Sequence, residues 1–254
     1  MDKYSVNLEL ITDRAIDLGK SAGVVTSVQL SHATPAGFAA HNGSRKAYAD
    51  IARSMILDSK LSVVMGAGHP WFNTDADSVD ITNPALTSYK YVGDSLTWMN
   101  LIAGNTNFPV ASVNGNTTVQ DIDGDATPDA WTLVQDSLDF ANLASGPTPK
   151  RVFGVPKARY TIQHDRSGTY DTTAYAVPLN DNVPSLAEMT KAALNVLDND
   201  QDGFFLMIEG GAVDWAGHGN SLGRMIEEQD DFNHSVDAVV AWVNANGGWA
   251  ENLV

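Results

Sequence analysis

The residues Phe204 to Ile208 form an unbroken apolar run, FFLMI, opened by Gly203 and closed by Glu209, Gly210 and Gly211. Such a run is too short for a membrane span and offers no polar face to a surface helix. Bounded by glycines, it predicts a strand buried on both faces, the pattern of a parallel sheet. Two further stretches read the same way, VVTSVQLS at 24–31 and LSVVMGAGH at 61–69. Helical periodicity falls between and around them. It covers 5–22 with Gly23 as its stop, 44–59, 185–198 with Ser185 and Glu188 placed as a capping box, and Leu222 to Val243. Helices alternating with buried strands predict an α/β fold on a mostly parallel sheet.

The same run decides a competing reading. Residues 198–209, DNDQDGFFLMIE, fit the calcium loop of an EF-hand, with Asp198, Asp200, Asp202, Gly203 and Glu209 in register. A calcium loop would leave several of the apolar residues against solvent, and Gly210 and Gly211 break the exiting helix that the motif needs. The strand reading stands, with the aspartates in a solvated turn. A second acidic loop, DIDGDATPD, has no apolar strand to contradict it. Its Asp121, Asp123, Asp125 and Asp129 are candidate calcium ligands.

Composition narrows the partners. Lys and Arg total 15 against 31 Asp and Glu, a net charge of −16, which repels nucleic acid and anionic membranes. It also repels an anionic substrate, so a phosphate site would need local cations. No run reaches the length of a membrane span. With no cysteine, disulfides and thiolate metal sites are excluded, and histidines and carboxylates are the strong side-chain ligands left. The charged, helix-like start does not read as a signal peptide.

Glu209 closes a predicted strand, and Asp214 and His218 follow it at i, i+4 spacing, which places both on one helical face toward a common metal. The first strand ends in Ser31, His32, Ala33, Thr34, Pro35, so His32 and Thr34 could meet Glu209 at the carboxyl ends of neighbouring strands. Glu and Thr oxygens suit a hard cation such as magnesium; Asp with His suits zinc.

The blocks HATPAGFAAHNGSRKAY and GFFLMIEGGAVDWAGHGN, with PSLAEMTKAALNVL ahead of the second, resemble the signature blocks of the bacterial alkaline phosphatases in spacing, residue type and chain order. The resemblance implies a doubly wound α/β core over 1–70 and 181–254, with 71–180 as an irregular, crown-like insertion. It implies hydrolysis of phosphate monoesters through a phosphoserine, with two zinc ions and one magnesium. Carried over by motif, His32, Thr34 and Glu209 fall on the magnesium site, and Asp214 and His218 on the first zinc site. Arg45 falls on the arginine that clamps the substrate phosphate, and Trp215 on a variable position that tunes phosphate and metal affinity. A periplasmic or secreted location and a homodimer are also implied.

His32 stands where some members have Asp, and imidazole is a poor direct magnesium ligand. A bridging water or a softer metal is therefore expected at that site. The family's serine nucleophile, the aspartate shared by two metals and the later Asp-His pair have no counterpart here. The expectation is a segment inactive on its own, drawn from an active parent. Two rival readings remain at this level: a related phosphodiesterase, phosphonate hydrolase or sulfatase, and a non-catalytic calcium-binding surface protein.

Overall fold

The structure is a computed structural model that describes residues 7–169 and 173–254. In chain order the elements are α1 (Ile11–Asp17), β1 (Ser21–Gln29), α2 (Ala33–Ala39), α3 (Tyr48–Leu57), β2 (Val63–Ala67), α4 (Ser95–Ile102) and β3 (Thr132–Val134). They continue with α5 (Ser137–Leu143), β4 (Val152–Gly154), α6 (Leu186–Leu197), β5 (Phe204–Glu209), α7 (Gly211–His218) and α8 (Leu222–Ala245).

Among the described residues the strands form one sheet in the order β3-β4-β2-β1-β5, and every pairing in it is parallel. Adjacent residues of a strand face opposite sides, so a sheet covered on both faces needs apolar neighbours in succession. Val24 and Val25 of β1 show this: Val24 packs with Ile51 and Met55 of α3, and Val25 packs with Met189 and Ala193 of α6. Apart from Ser21, β1 is buried throughout. The mostly parallel α/β fold read from the sequence is the fold observed.

Local chemistry sets the boundaries. At the start of α6 the Ser185 side chain accepts from the Glu188 backbone N–H, and Glu188 accepts from the Ser185 N–H, a complete capping box. Asp231 of α8 adds a second clasp by accepting the Leu186 N–H at 2.9 Å. This fixes α8 against the end of α6 that faces the loop after residue 173.

Several sequence expectations need correction. The helix expected over 5–22 is confined to α1, and its first residues lie outside the described ones. The chain turns at Gly19, with φ of 79°, and residues 21–23 are strand because β1 pairs with both β2 and β5. Long-range pairing here outweighs local helical periodicity. The helix expected from Ser44 begins at Tyr48, which leaves Arg45 on an exposed turn. Within the insertion, Thr161 makes an isolated antiparallel bridge to Val28 of β1. β5 is not buried on both faces: among the described residues it stands at the sheet edge, and only Met207 within it is buried.

Residues 71–180 contribute β3 and β4 to the same sheet, beside β2. Much of this region is held by aspartate and asparagine side chains that accept from backbone N–H groups two to four residues on, as Asn73, Asp80 and Asn83 do.

Candidate active site at the carboxyl ends of β1 and β5

The register of the central ladder pairs Thr26 with Glu209, the last residue of β5. Thr26 Oγ1 donates to Glu209 Oε2 at 2.7 Å, which fixes the carboxylate. Its Oε1 accepts no hydrogen bond among the described residues and remains available as a hard donor. The next two residues must both be small. A Cβ on Gly210 would lie 2.9 Å from the Phe232 ring, and one on Gly211 would lie 2.9 Å from Val28 Cγ2 and 3.0 Å from Glu209 Cδ. The double glycine lets α7 start immediately beside β1, where the Ala212 N–H donates to Ser27 Oγ.

α7 then presents Asp214 and His218 one turn apart, with Asp214 Oδ1 and His218 Nε2 separated by 3.5 Å. Their side chains are 72% and 83% exposed, so both pairs of donor atoms are open to solvent and to an incoming ion. Trp215, next to Asp214, sets its ring edge-on to His32, centroids 5.3 Å apart. Tyr48 stacks on His32 from another side at 6.3 Å. His32 is therefore an imidazole held between two aromatic rings at the first residue before α2. Burial lowers its pKa, Arg45 pushes it the same way, and Glu209 and Asp214 oppose them. A neutral imidazole keeps a lone pair for a metal. Thr34, in the first turn of α2, is exposed.

The donor chemistry fits metals of two kinds. Glu209 and Thr34 offer oxygens, and Asp214 with His218 offers the mixed oxygen and nitrogen set favoured by zinc. Among the described residues, however, these groups do not converge into a three-ligand cluster. The one group whose ligand atoms all lie within 4.8 Å of one another is Asp121, Asp123 and Asp129.

That acidic loop is only partly as expected. Asp125 stays out of the cluster and accepts from the Thr127 N–H. Asp121 accepts from the N–H groups of Asp123, Gly124 and Ala126. Asp129 accepts from the Ile122 N–H, and Lys150 bridges Asp123 and Asp129. Backbone donors and one ammonium thus balance the loop. In the EF-hand-like stretch, Asp198 caps the end of α6, Asp200 and Asp202 lie in a turn, and Glu209 belongs to the sheet.

A family model for alkaline phosphatase matches residues 2–247. The chain belongs to the alkaline phosphatase family. Alkaline phosphatase 3 of Bacillus subtilis is 25% identical over 94% of this chain and 40% of its own length. Alkaline phosphatase H of Pseudomonas aeruginosa is 29% identical over 90% of this chain and 46% of its own length. The alkaline phosphatase of Escherichia coli is 24% identical over 97% of this chain and 51% of its own length. Among solved structures, the alkaline phosphatase of the Antarctic bacterium TAB5 superposes with a TM-score of 0.61 at 21% identity, over 98% of this chain and 56% of that one. The Thermus thermophilus enzyme gives 0.60 at 24% identity, over 92% and 39%. A TAB5 mutant with a glutamate in place of a histidine has Mg bound in its M3 site. The chain thus spans about half or less of the length of the curated relatives it matches.

One contact escapes any single-sequence pattern: the packing of Trp215 on His32 joins residues 183 positions apart, on α7 and before α2. His69, without an assigned role in the sequence, is fully buried, accepting from the Trp71 N–H and bonded to Gln135. No helix among the described residues is long and apolar enough to cross a membrane.

Proposed function

We propose that this chain supplies the phosphate clamp and part of the metal-binding set of a phosphatase acting on phosphate monoesters. The observation that carries it is the placing of Glu209 at the end of β5, paired with Thr26 of β1, beside α7 with Asp214 and His218, and of His32 just after β1, its ring packed on Trp215 of α7. Catalytic groups collect at that end of open parallel sheets.

Glu209, Thr34 and His32 would hold magnesium, with a water between the metal and His32, and Asp214 and His218 would hold the first zinc. Bound there, the metals would supply positive charge for the transferring phosphoryl group and its oxygens. Arg45, exposed on its turn, has a planar fork suited to two phosphate oxygens. Thr26 keeps the Glu209 carboxylate from rotating. Trp215 and Tyr48 flank the His32 ring and limit its orientation.

The serines nearest this end of β1 are already engaged. Ser31 Oγ donates to the Tyr91 carbonyl and is buried, and Ser27 Oγ accepts from Ala212. By the family resemblance, the phosphate-accepting serine and the remaining zinc ligands have no counterpart among the motifs of these 254 residues. By the family resemblance, the working enzyme is a homodimer outside the cytoplasm.

The deciding experiment compares phosphate monoester, phosphate diester and sulfate ester hydrolysis by the full-length gene product, with and without Arg45→Ala. Monoester turnover that falls by at least about a hundred-fold in the variant is expected. A preference for diesters or sulfate esters would overturn the reading. The 254-residue chain alone, freed of host phosphatase, should not hydrolyse p-nitrophenyl phosphate.

A further inference from the structure

α8 packs against α6, and with the loop after residue 173 they enclose a cavity of about 420 Å³ that is lined by none of His32, Thr34, Arg45, Glu209, Asp214 and His218. Six carboxylates line it: Asp181, Glu188, Glu227, Glu228, Asp230 and Asp231. Most are committed elsewhere. Glu227 accepts from Arg166 at 2.7 Å, from Arg224 at 3.4 Å and from the Tyr175 N–H at 2.6 Å. Asp230 accepts from the Tyr175 hydroxyl, Asp231 from the Leu186 N–H, and Glu188 from the Ser185 N–H.

Glu228 is different. Glu228 lines the cavity and is only 4% exposed, and its Oε1 is buried with no hydrogen-bond partner among the described residues. A buried carboxylate oxygen without a donor is costly, and buried polar atoms are nearly always paired. Burial, with Asp231 as the next cause, pushes this carboxyl up to about 8; Glu227 and Asp165 add to the shift and Arg166 opposes it. Arg166, the cation that opposes the shift, donates to Glu227 and to backbone carbonyls.

We infer that this cavity is a second cation site, in which Glu228 binds a hydrated divalent ion of the magnesium class. Magnesium keeps several of its waters and is held by one or two carboxylates, with the rest reached through water. That mode suits a roomy cavity whose acids, among the described residues, do not crowd within 4.8 Å of one another. Asp231 and Glu188 would accept from the ion's waters, which ties the cation to the start of α6. Its role would be structural, clamping the α6–α8 junction.

The test is calorimetric titration of the metal-stripped 254-residue chain with Mg²⁺, in a Glu209→Gln, Asp214→Asn background that silences the candidate active site. Magnesium binding should persist in that background and weaken by about ten-fold or more on adding Glu228→Gln. Glu228→Gln is isosteric and removes a buried acid, so it should fold. Asp181→Asn, on the exposed rim, should weaken binding by a smaller factor. Thermal unfolding followed with and without Mg²⁺ gives an independent reading, with a metal-induced rise in Tm that Glu228→Gln abolishes. Loss of all magnesium binding in the background, binding untouched by Glu228→Gln, or a Tm rise with spermidine but not with Mg²⁺ would each overturn the proposal.

Discussion

The hydroxyl of Thr26 on β1 donates to Glu209 Oε2 on β5 at 2.7 Å, across a rung of the parallel ladder that pairs the same two residues. The orientation of the candidate magnesium carboxylate is thus set by strand register and one hydrogen bond. Thr26→Val should keep the fold, cost about 1 kcal/mol of stability and weaken magnesium binding by ~10-fold or more. Calorimetric titration of the two proteins side by side measures this; equal affinities would show that Thr26 does not orient the ligand.

The exposed Asp214–His218 pair should act on zinc and not on magnesium. His218→Ala should reduce zinc affinity by about a hundred-fold, since it deletes a direct ligand, and leave magnesium affinity within about two-fold. Competition against a chromophoric zinc chelator reads the first quantity. Unchanged zinc affinity would remove His218 from the site.

His69 should make the fold acid-sensitive. Burial lowers its pKa to about 4, against a reference near 6.5 for an unfolded chain. Below about pH 6.5 the unfolded chain takes up a proton that the folded one refuses until about pH 4. Stability contributed by neutral His69 is therefore full above that window and falls as pH drops through it, by on the order of 3 kcal/mol. Urea unfolding at pH 7.5 and 4.5 should show a smaller pH difference for His69→Gln than for the parent chain. An identical difference would mean that other groups carry the acid sensitivity.

Arg151 should be a stability anchor that lysine cannot replace. Fully buried, it donates to the carbonyls of Leu61, Ser59, Gln120 and Asp129, and its guanidinium lies 3.7 Å from the centre of the Trp131 ring. Arg151→Lys keeps the charge but loses the planar fork, and should cost about 3 kcal/mol in denaturant unfolding. A cost below about 1 kcal/mol would mean water takes over those carbonyls.

What could be read from sequence was what repeats locally or pairs by type. The runs around Val24 and Val64 were legible as strands because burial on both faces favours apolar neighbours in succession, and the run around Met207 because it is short, apolar and bounded by glycines. Asp214 and His218 were legible because helical spacing alone puts them together. The extent of α1 was not, because residues 21–23 join the sheet through partners 40 to 180 positions away. The edge position of β5 was equally hidden, since an apolar run does not report how many neighbours it has. The acidic loop was half legible: spacing flagged Asp121, Asp123 and Asp129, and the role of Lys150 between two of them depends on the approach of β4.

The place of β5 at the sheet margin has a consequence for handling the chain. Its outer row of N–H and C=O groups has no strand partner among the described residues, and Phe204, Leu206 and Ile208 are each partly open. Natural edges are blunted by charges, prolines or bulges, and FFLMI contains none of these. The margin is a template for in-register growth. At high concentration the chain should form β-rich aggregates nucleated at this strand, and a short strand-mimicking peptide that cannot extend the ladder should delay them.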